Sequence, residues 1–187
     1  MGSASRVRAV PQAHSSAHGV IMDYTIKAKE TVFKDVLFRS RLEAKWAAMF
    51  DICGWRWQYE PVDLSGWSPD FFLDITRRRR GGGNRDIKLL VEVKPYTNHR
   101  QFYGHPCALS ESGRSDFQCE ARVGLGISPE CCLLLLESDG GGSHGQCDFD
   151  YLVSAENNFS MSDVMSLWRR ACNSVQWKYS DNGRRLS

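Results

Sequence analysis

The sequence predicts a mixed α/β domain, a central sheet flanked by helices, on three observations. An amphipathic helical stretch precedes two aromatic-rich strand patterns, the apolar runs IKLLVEV and CCLLLL are bounded as buried strands are, and a capped amphipathic helix follows them near the C-terminus.

Residues 1–19, rich in Ser, Ala, His and Gly, read as a flexible leader and 181–187 as a flexible tail, which leaves 20–180 as a single domain. VIMDYTIKA, 20–28, carries Tyr24 and Ile26 on one face of a short strand. In VLFRSRLEAKWAAMFDICG, 36–54, Phe38, Leu42, Trp46, Met49, Phe50 and Cys53 recur at three- and four-residue steps, which predicts an amphipathic helix stopped by Gly54. Glu43 lies at the margin of that apolar stripe, facing the edge of the core; the plainer alternative is a solvated pair with Arg39 one turn back.

WRWQYEP, 55–61, and SPDFFLDI, 68–75, carry aromatic strand formers around a turn through Asp63, Ser65 and Gly66, so they predict a hairpin. Pro69 suits the first position of the second strand, and Asp70 then points the same way as Phe72 and Asp74. RRRRGGGN, 77–84, has the composition of a flexible connection. In IKLLVEVKP, 87–95, Leu89, Val91 and Val93 share one face of a strand, while Lys88, Leu90, Glu92 and Lys94 share the other. The order continues with a helix near 114–123, a buried strand in CCLLLLES, 131–138, and a loop in DGGGSHGQCD. FDYLVS, 149–154, reads as a short strand, and 160–175 as a serine-capped helix with Val164, Leu167, Trp168, Ala171 and Val175 on one face.

A chain of 187 residues, 42% hydrophobic and 25% charged, is long enough for one hydrophobic core and has the balance of a soluble globular protein. No stretch approaches the roughly 20 apolar residues of a membrane span, and the N-terminal residues lack a secretory apolar segment, so the expected location is cytoplasmic. Seven cysteines without a CxxC pair point to reduced thiols. His99, His105, Cys107 and Cys119 could be imagined as a zinc site, but their spacing matches no common pattern.

The net charge of +2 is too small to argue for nucleic acid, but its distribution is polarised. Residues 77–100 hold eight Lys or Arg against Asp86 and Glu92, whereas 127–160 hold six acids and no Lys or Arg. The run Arg77, Arg78, Arg79 and Arg80 is read as a nucleic-acid backbone contact, the alternative being a solvated hairpin end.

Glu43, Asp70, Glu92 and Lys94 each sit in an otherwise apolar element and could converge at one end of a sheet, where the three carboxylates would repel one another unless a cation stood between them. Hard divalent ions are held by one or two carboxylates, carbonyls and water. Such an ion polarises a phosphoryl oxygen, and a nearby ammonium orients the attacking water. That is the chemistry of phosphodiester hydrolysis.

SPDFFLDI followed by VEVKP resembles the PD-(D/E)xK nuclease superfamily, with Pro69-Asp70 and Glu92-Val93-Lys94 filling its signature across a gap of 22 residues. FRSRLEAKWA, with Glu43, and YEP are similar to the small nuclease-like proteins of phages and to the endonuclease subunit of heteromeric transposons. The resemblance covers residues 36–137 and extends less surely to LWRRACNSVQW. It implies a restriction-endonuclease-like αβββαβ core and Mg²⁺- or Mn²⁺-dependent cleavage of DNA. Glu43, Asp70, Glu92 and Lys94 would be catalytic, with Asp70, Glu92, the Val93 backbone carbonyl and Glu43 through water around the ion. For the polar residue that such nucleases carry beside the lysine, Gln101, His99 and Gln118 are unranked candidates. A homodimer or recombination and transposition proteins are the partners implied, in a bacterial or phage-infected cytoplasm. The competing readings are a nucleic-acid-binding or assembly module of the same fold, a Holliday junction resolvase and an RNA nuclease.

Overall fold

The computed structural model describes residues 28–78, 83–109, 119, 121–136, 143–146, 149, 152–153 and 160–175. Residues 20–27 of the strand expected at 20–28, the leader and the tail lie outside them.

A small hairpin comes first, β1 (Thr31–Phe33) and β2 (Val36–Phe38), joined by Lys34 and Asp35, both at positive φ as a two-residue primed turn requires. The helix α1 (Arg41–Ile52) follows and is therefore shorter than the 36–54 predicted. Its start is fixed by Ser40, in extended backbone, whose hydroxyl accepts the Glu43 N–H. Phe38 falls on the helical spacing but belongs to β2, where it is fully buried.

The main sheet runs β3-β4-β5-β6-β7-β8, from β3 (Arg56–Tyr59), β4 (Phe71–Arg78), β5 (Asn84–Val93), β6 (Ala121–Leu125), β7 (Cys132–Leu136) and β8 (Ser143–Gln146). Among the described strands every neighbouring pair is antiparallel except β5 and β6. A parallel pair needs a crossover. This one contains a 3₁₀ helix (His99–Gly104) and the single turn α2 (Pro106–Leu109).

Four further elements differ from what the sequence predicts. The helix predicted near 114–123 gives way at Ala121 to strand β6, because Ala121, Val123 and Leu125 fill the space between β5 and β7; 110–118 lie outside the described residues. Ser143–Gln146, read as loop, pairs with β7 as an edge strand. In FDYLVS, Phe149, Leu152 and Val153 are helical, and their i, i+3, i+4 spacing puts Phe149 and Val153 into the core. The connection predicted at 77–84 is narrower, since Arg77 pairs with Arg85 and Arg78 with Asn84; residues 79–82 lie outside the described residues.

The alternation predicted for β5 holds. Leu89, Val91 and Val93 join Phe71, Leu73, Val123 and Leu134 in one core under α1 and α3 (Met161–Ser174), whose N-cap is Ser160. There Trp46 of α1 lies 4.4 Å from Trp168 of α3, centroid to centroid. Leu90 faces the other side, with Trp67, Phe102, Cys107 and Leu133 under the crossover. The result is a mixed α/β fold with helical cover on both faces of the sheet.

Candidate active site

Asp70 immediately precedes β4, and the β4–β5 register, in which Phe71 faces Val91, brings it to the level of Glu92 and Val93. Its side chain is buried, and Oδ2 accepts the Val93 N–H at 2.7 Å, so the strand end holds the carboxylate directly. Oδ1 accepts from Arg39 Nη2 at 2.5 Å. Burial, and next the charge of Glu92, push the Asp70 carboxyl up to about 7; Lys94 and the Val93 N–H oppose the rise.

Glu92 is buried on the face opposite the main core. The Trp67 indole Nε1 donates to its Oε2 at 2.6 Å, while Oε1 pairs with Lys94 Nζ and lies 3.4 Å from His105 Nε2. Lys94 follows the strand and keeps a third of its side chain exposed. Burial works against its ammonium, yet Glu92 and Asp70 hold its pKa above the ordinary value. Proximity of these three groups is thus a property of the fold.

Glu43 comes from the other layer. In the first turn of α1, it is buried, accepting from the Ser40 hydroxyl at 2.8 Å and from the Tyr59 hydroxyl at 2.5 Å. Its charge reaches Asp70. The solvated pair with Arg39 is not formed: Arg39 lies before the helix and pairs with Asp70 and with Glu60 at 2.9 Å. Glu60 itself stands at φ +46 and donates its N–H to the Asp70 carbonyl, so β3 and the start of β4 are pinned where Arg39 bridges them.

Of the predicted site residues, Asp70, Glu92 and Lys94 come together, Glu43 is joined to them through Tyr59 and Arg39, and Val93 donates its N–H to Asp70 while its side chain packs in the core. Arg77 and Arg78 lie at the far end of β4, which at about 3.3 Å per residue is roughly 25 Å along the strand from Asp70; Arg79 and Arg80 fall outside the described residues.

Four participants escaped the sequence reading: Arg39, Tyr59, Trp67 and His105. Arg39 and Tyr59 lie inside the stretches FRSRLEAKWA and YEP, and His105 enters the sequence only among the zinc candidates, but no periodicity or spacing places any of the four beside the carboxylates; spatial neighbours alone do. His105, half-buried, stands beside Glu92, whose Oε1 also pairs with Lys94. Its Nδ1 accepts the Cys107 N–H, which leaves the ring proton on Nε2, toward Glu92. Gln101 instead caps the 3₁₀ helix through the Thr97 and Asn98 N–H groups, His99 stacks edge-on against Tyr103, and Gln118 is outside the described residues.

Among the described residues no three His, Cys, Asp or Glu side chains are placed to hold one ion, so neither the His/Cys segment nor a triple of carboxylates forms a ready metal cage. The donor pair Asp70 and Glu92 still suits a hard divalent cation: both are carboxylates, both are buried, and their repulsion is what a cation would relieve. Among the described residues no helix is long and apolar enough to cross a membrane. Comparison with known protein families, with characterised proteins and with solved structures found no match to this chain.

Proposed function

We propose that the chain is a divalent-cation-dependent phosphodiester hydrolase of the PD-(D/E)xK type acting on DNA. The observation that carries this reading is the meeting of two buried carboxylates, Asp70 and Glu92, with the Lys94 ammonium at the end of adjacent strands. Repelling carboxylates in a dry place are costly to a fold that gains nothing from them. The chain order of α1, three antiparallel strands, a crossover and a parallel strand supports it further, being the order the resemblance implies.

Mg²⁺, with Mn²⁺ as substitute, would be held by Asp70, Glu92 and the Val93 carbonyl and would supply Lewis-acid stabilisation of phosphoryl oxygens. The chain's own side chains do the rest. Lys94, partly exposed beside Glu92, holds and orients the attacking water and offsets charge gathering on the phosphate. Trp67 fixes the rotation of Glu92 through its N–H, and the Ser40 and Tyr59 hydroxyls fix Glu43 at the rim, from which it reaches the site through water.

Cleavage assays with Mg²⁺, Mn²⁺ or chelator on linear, circular, branched and single-stranded DNA and on RNA test the reading. Metal-dependent cutting of DNA that Asp70→Asn and Lys94→Ala abolish is the expected result. No cutting of any substrate, or activity that survives Asp70→Asn, overturns it; DNA binding without cutting would make the chain a binding or assembly module.

A further inference from the structure

Arg39 stands in an unusual position for a half-open side chain. Its side chain is 60% exposed, yet Nη2 reaches a carboxylate whose side chain is only 2% exposed, Asp70, while Nε reaches Glu60. Its backbone N–H and its Nε both point to the Tyr59 hydroxyl, at 3.1 and 3.4 Å, and that hydroxyl donates to Glu43. One cation therefore serves the outer oxygen of Asp70 and, through Tyr59, the region of Glu43. The inner oxygen of Asp70 is taken by the Val93 N–H. Of the two oxygens, the one that no backbone group holds is the one Arg39 occupies.

Resting on the metal-dependent reading above, we propose that Arg39 is a built-in counter-cation that competes with the divalent ion for Oδ1 of Asp70, so that ion binding releases the guanidinium and Arg39 sets the ion affinity. The geometry makes release feasible, because the guanidinium already borders solvent and keeps Glu60 as a second partner. A buried arginine in the same place would have nowhere to go. Asp70 is thereby neutralised when the ion is absent, and without Arg39 its charge would stand beside Glu92 with only Lys94 to offset both.

Calorimetric titration of the full chain with Mn²⁺ tests this, using wild type, Arg39→Gln and Asp70→Asn. The expected result is a site lost in Asp70→Asn and tightened in Arg39→Gln by about 10-fold, equivalent to about 1.4 kcal/mol. A site lost in Asp70→Asn but equally tight or weaker in Arg39→Gln overturns the inference and leaves the metal-dependent reading standing. No Mn²⁺ binding by wild type or Arg39→Gln, or binding that survives Asp70→Asn, overturns both. Should Arg39→Gln fail to fold, ¹⁵N spectra of wild type with added Mg²⁺ decide. The Val93 amide reports on Asp70 and the Arg39 Nε on the guanidinium. Movement of both supports the competition; movement of Val93 alone overturns it; movement of neither overturns the metal reading as well.

Discussion

Because Asp70 is buried beside Glu92, its carboxyl is pushed up to about 7, above the ordinary value near 3.9 that it has in an unfolded chain. Between about pH 4 and 7 the folded state therefore binds more protons than the unfolded one, and stability falls as pH rises, by up to about 1.4 kcal/mol per unit. Below that window both states are protonated and above it both are ionised, so the slope vanishes. In chelator, the melting temperature of wild type should decline across this window more steeply than that of Asp70→Asn, and Mg²⁺ should reduce the decline at its upper end. Equal pH profiles for the two proteins would show that Asp70 is not the group responsible. Lys94→Ala separates chemistry from stability at the same site. It should abolish cleavage while DNA affinity in gel-shift titrations stays within about threefold, since one ammonium accounts for few phosphate contacts. The melting temperature should fall, but by less than the about 3–5 kcal/mol equivalent of breaking a fully buried pair, because Glu92 keeps Trp67 and His105 and Lys94 is a third exposed. Parallel losses of binding and cleavage would refute the water-holding role.

At the scale of elements, the position of the crossover over Glu92 depends on Gly124. This residue is the β6 partner of Glu92, and a Cβ there would stand 2.6 Å from the Phe102 ring of the 3₁₀ helix. Phe102 is fully buried and cannot swing aside as a flexible chain end would. Gly124→Ala should therefore cost about 1–3 kcal/mol of overpacking, or roughly 3–10 °C in melting temperature, and should lower activity by displacing His105 three residues on. Adding Phe102→Leu should recover part of both; an unchanged melting temperature in the single variant would mean that the ring has room. The same elements show what could be read beforehand. The helix through Trp46 and Phe50, the hairpin before Asp70 and the two-faced strand ending in Glu92-Val93-Lys94 are dictated by local period, and the site's motif rides on them. The β1–β2 turn uses Lys34 and Asp35 at positive φ instead of glycine, so nothing local announced it, and Phe38 extended the helical spacing by coincidence. β6 and β8 are strands because β5 and β7 offer them hydrogen bonds, a fact that Ala-Arg-Val-Gly-Leu and Ser-His-Gly-Gln do not carry in themselves. Arg39, Trp67 and His105 acquire their places beside the carboxylates only when loops close.

For the molecule as a whole, the polarity of the sequence becomes a direction across the sheet. Of the basic stretch 77–100, Arg77, Arg78, Arg85 and Lys88 lie on the β4–β5 hairpin, whereas β7 and β8, at the edge beyond β6, lie within the stretch 127–160 that has no Lys or Arg. A polyanion approaching this field is steered toward the β4–β5 side. Arg77 and Arg78 stand at the end of that hairpin away from Asp70, so a strand of phosphates held at both places would follow β4 for roughly 25 Å, several nucleotides of a duplex at about 3.4 Å per base on each strand. If the run contacts phosphates, replacing Arg77, Arg78, Arg79 and Arg80 by Ser should weaken binding to all sequences alike and flatten the slope of log affinity against log salt by about one unit per lost contact. Single-turnover cleavage of already bound DNA should be largely unchanged, because the hairpin end is remote from Lys94 and Glu92. Shortening the duplex until it can no longer span the two places should remove the difference between wild type and the four-serine variant. A salt slope and affinity untouched by the replacement would reduce the run to a solubility feature and move the nucleic-acid path to the end of the sheet that carries Arg39 and Lys94.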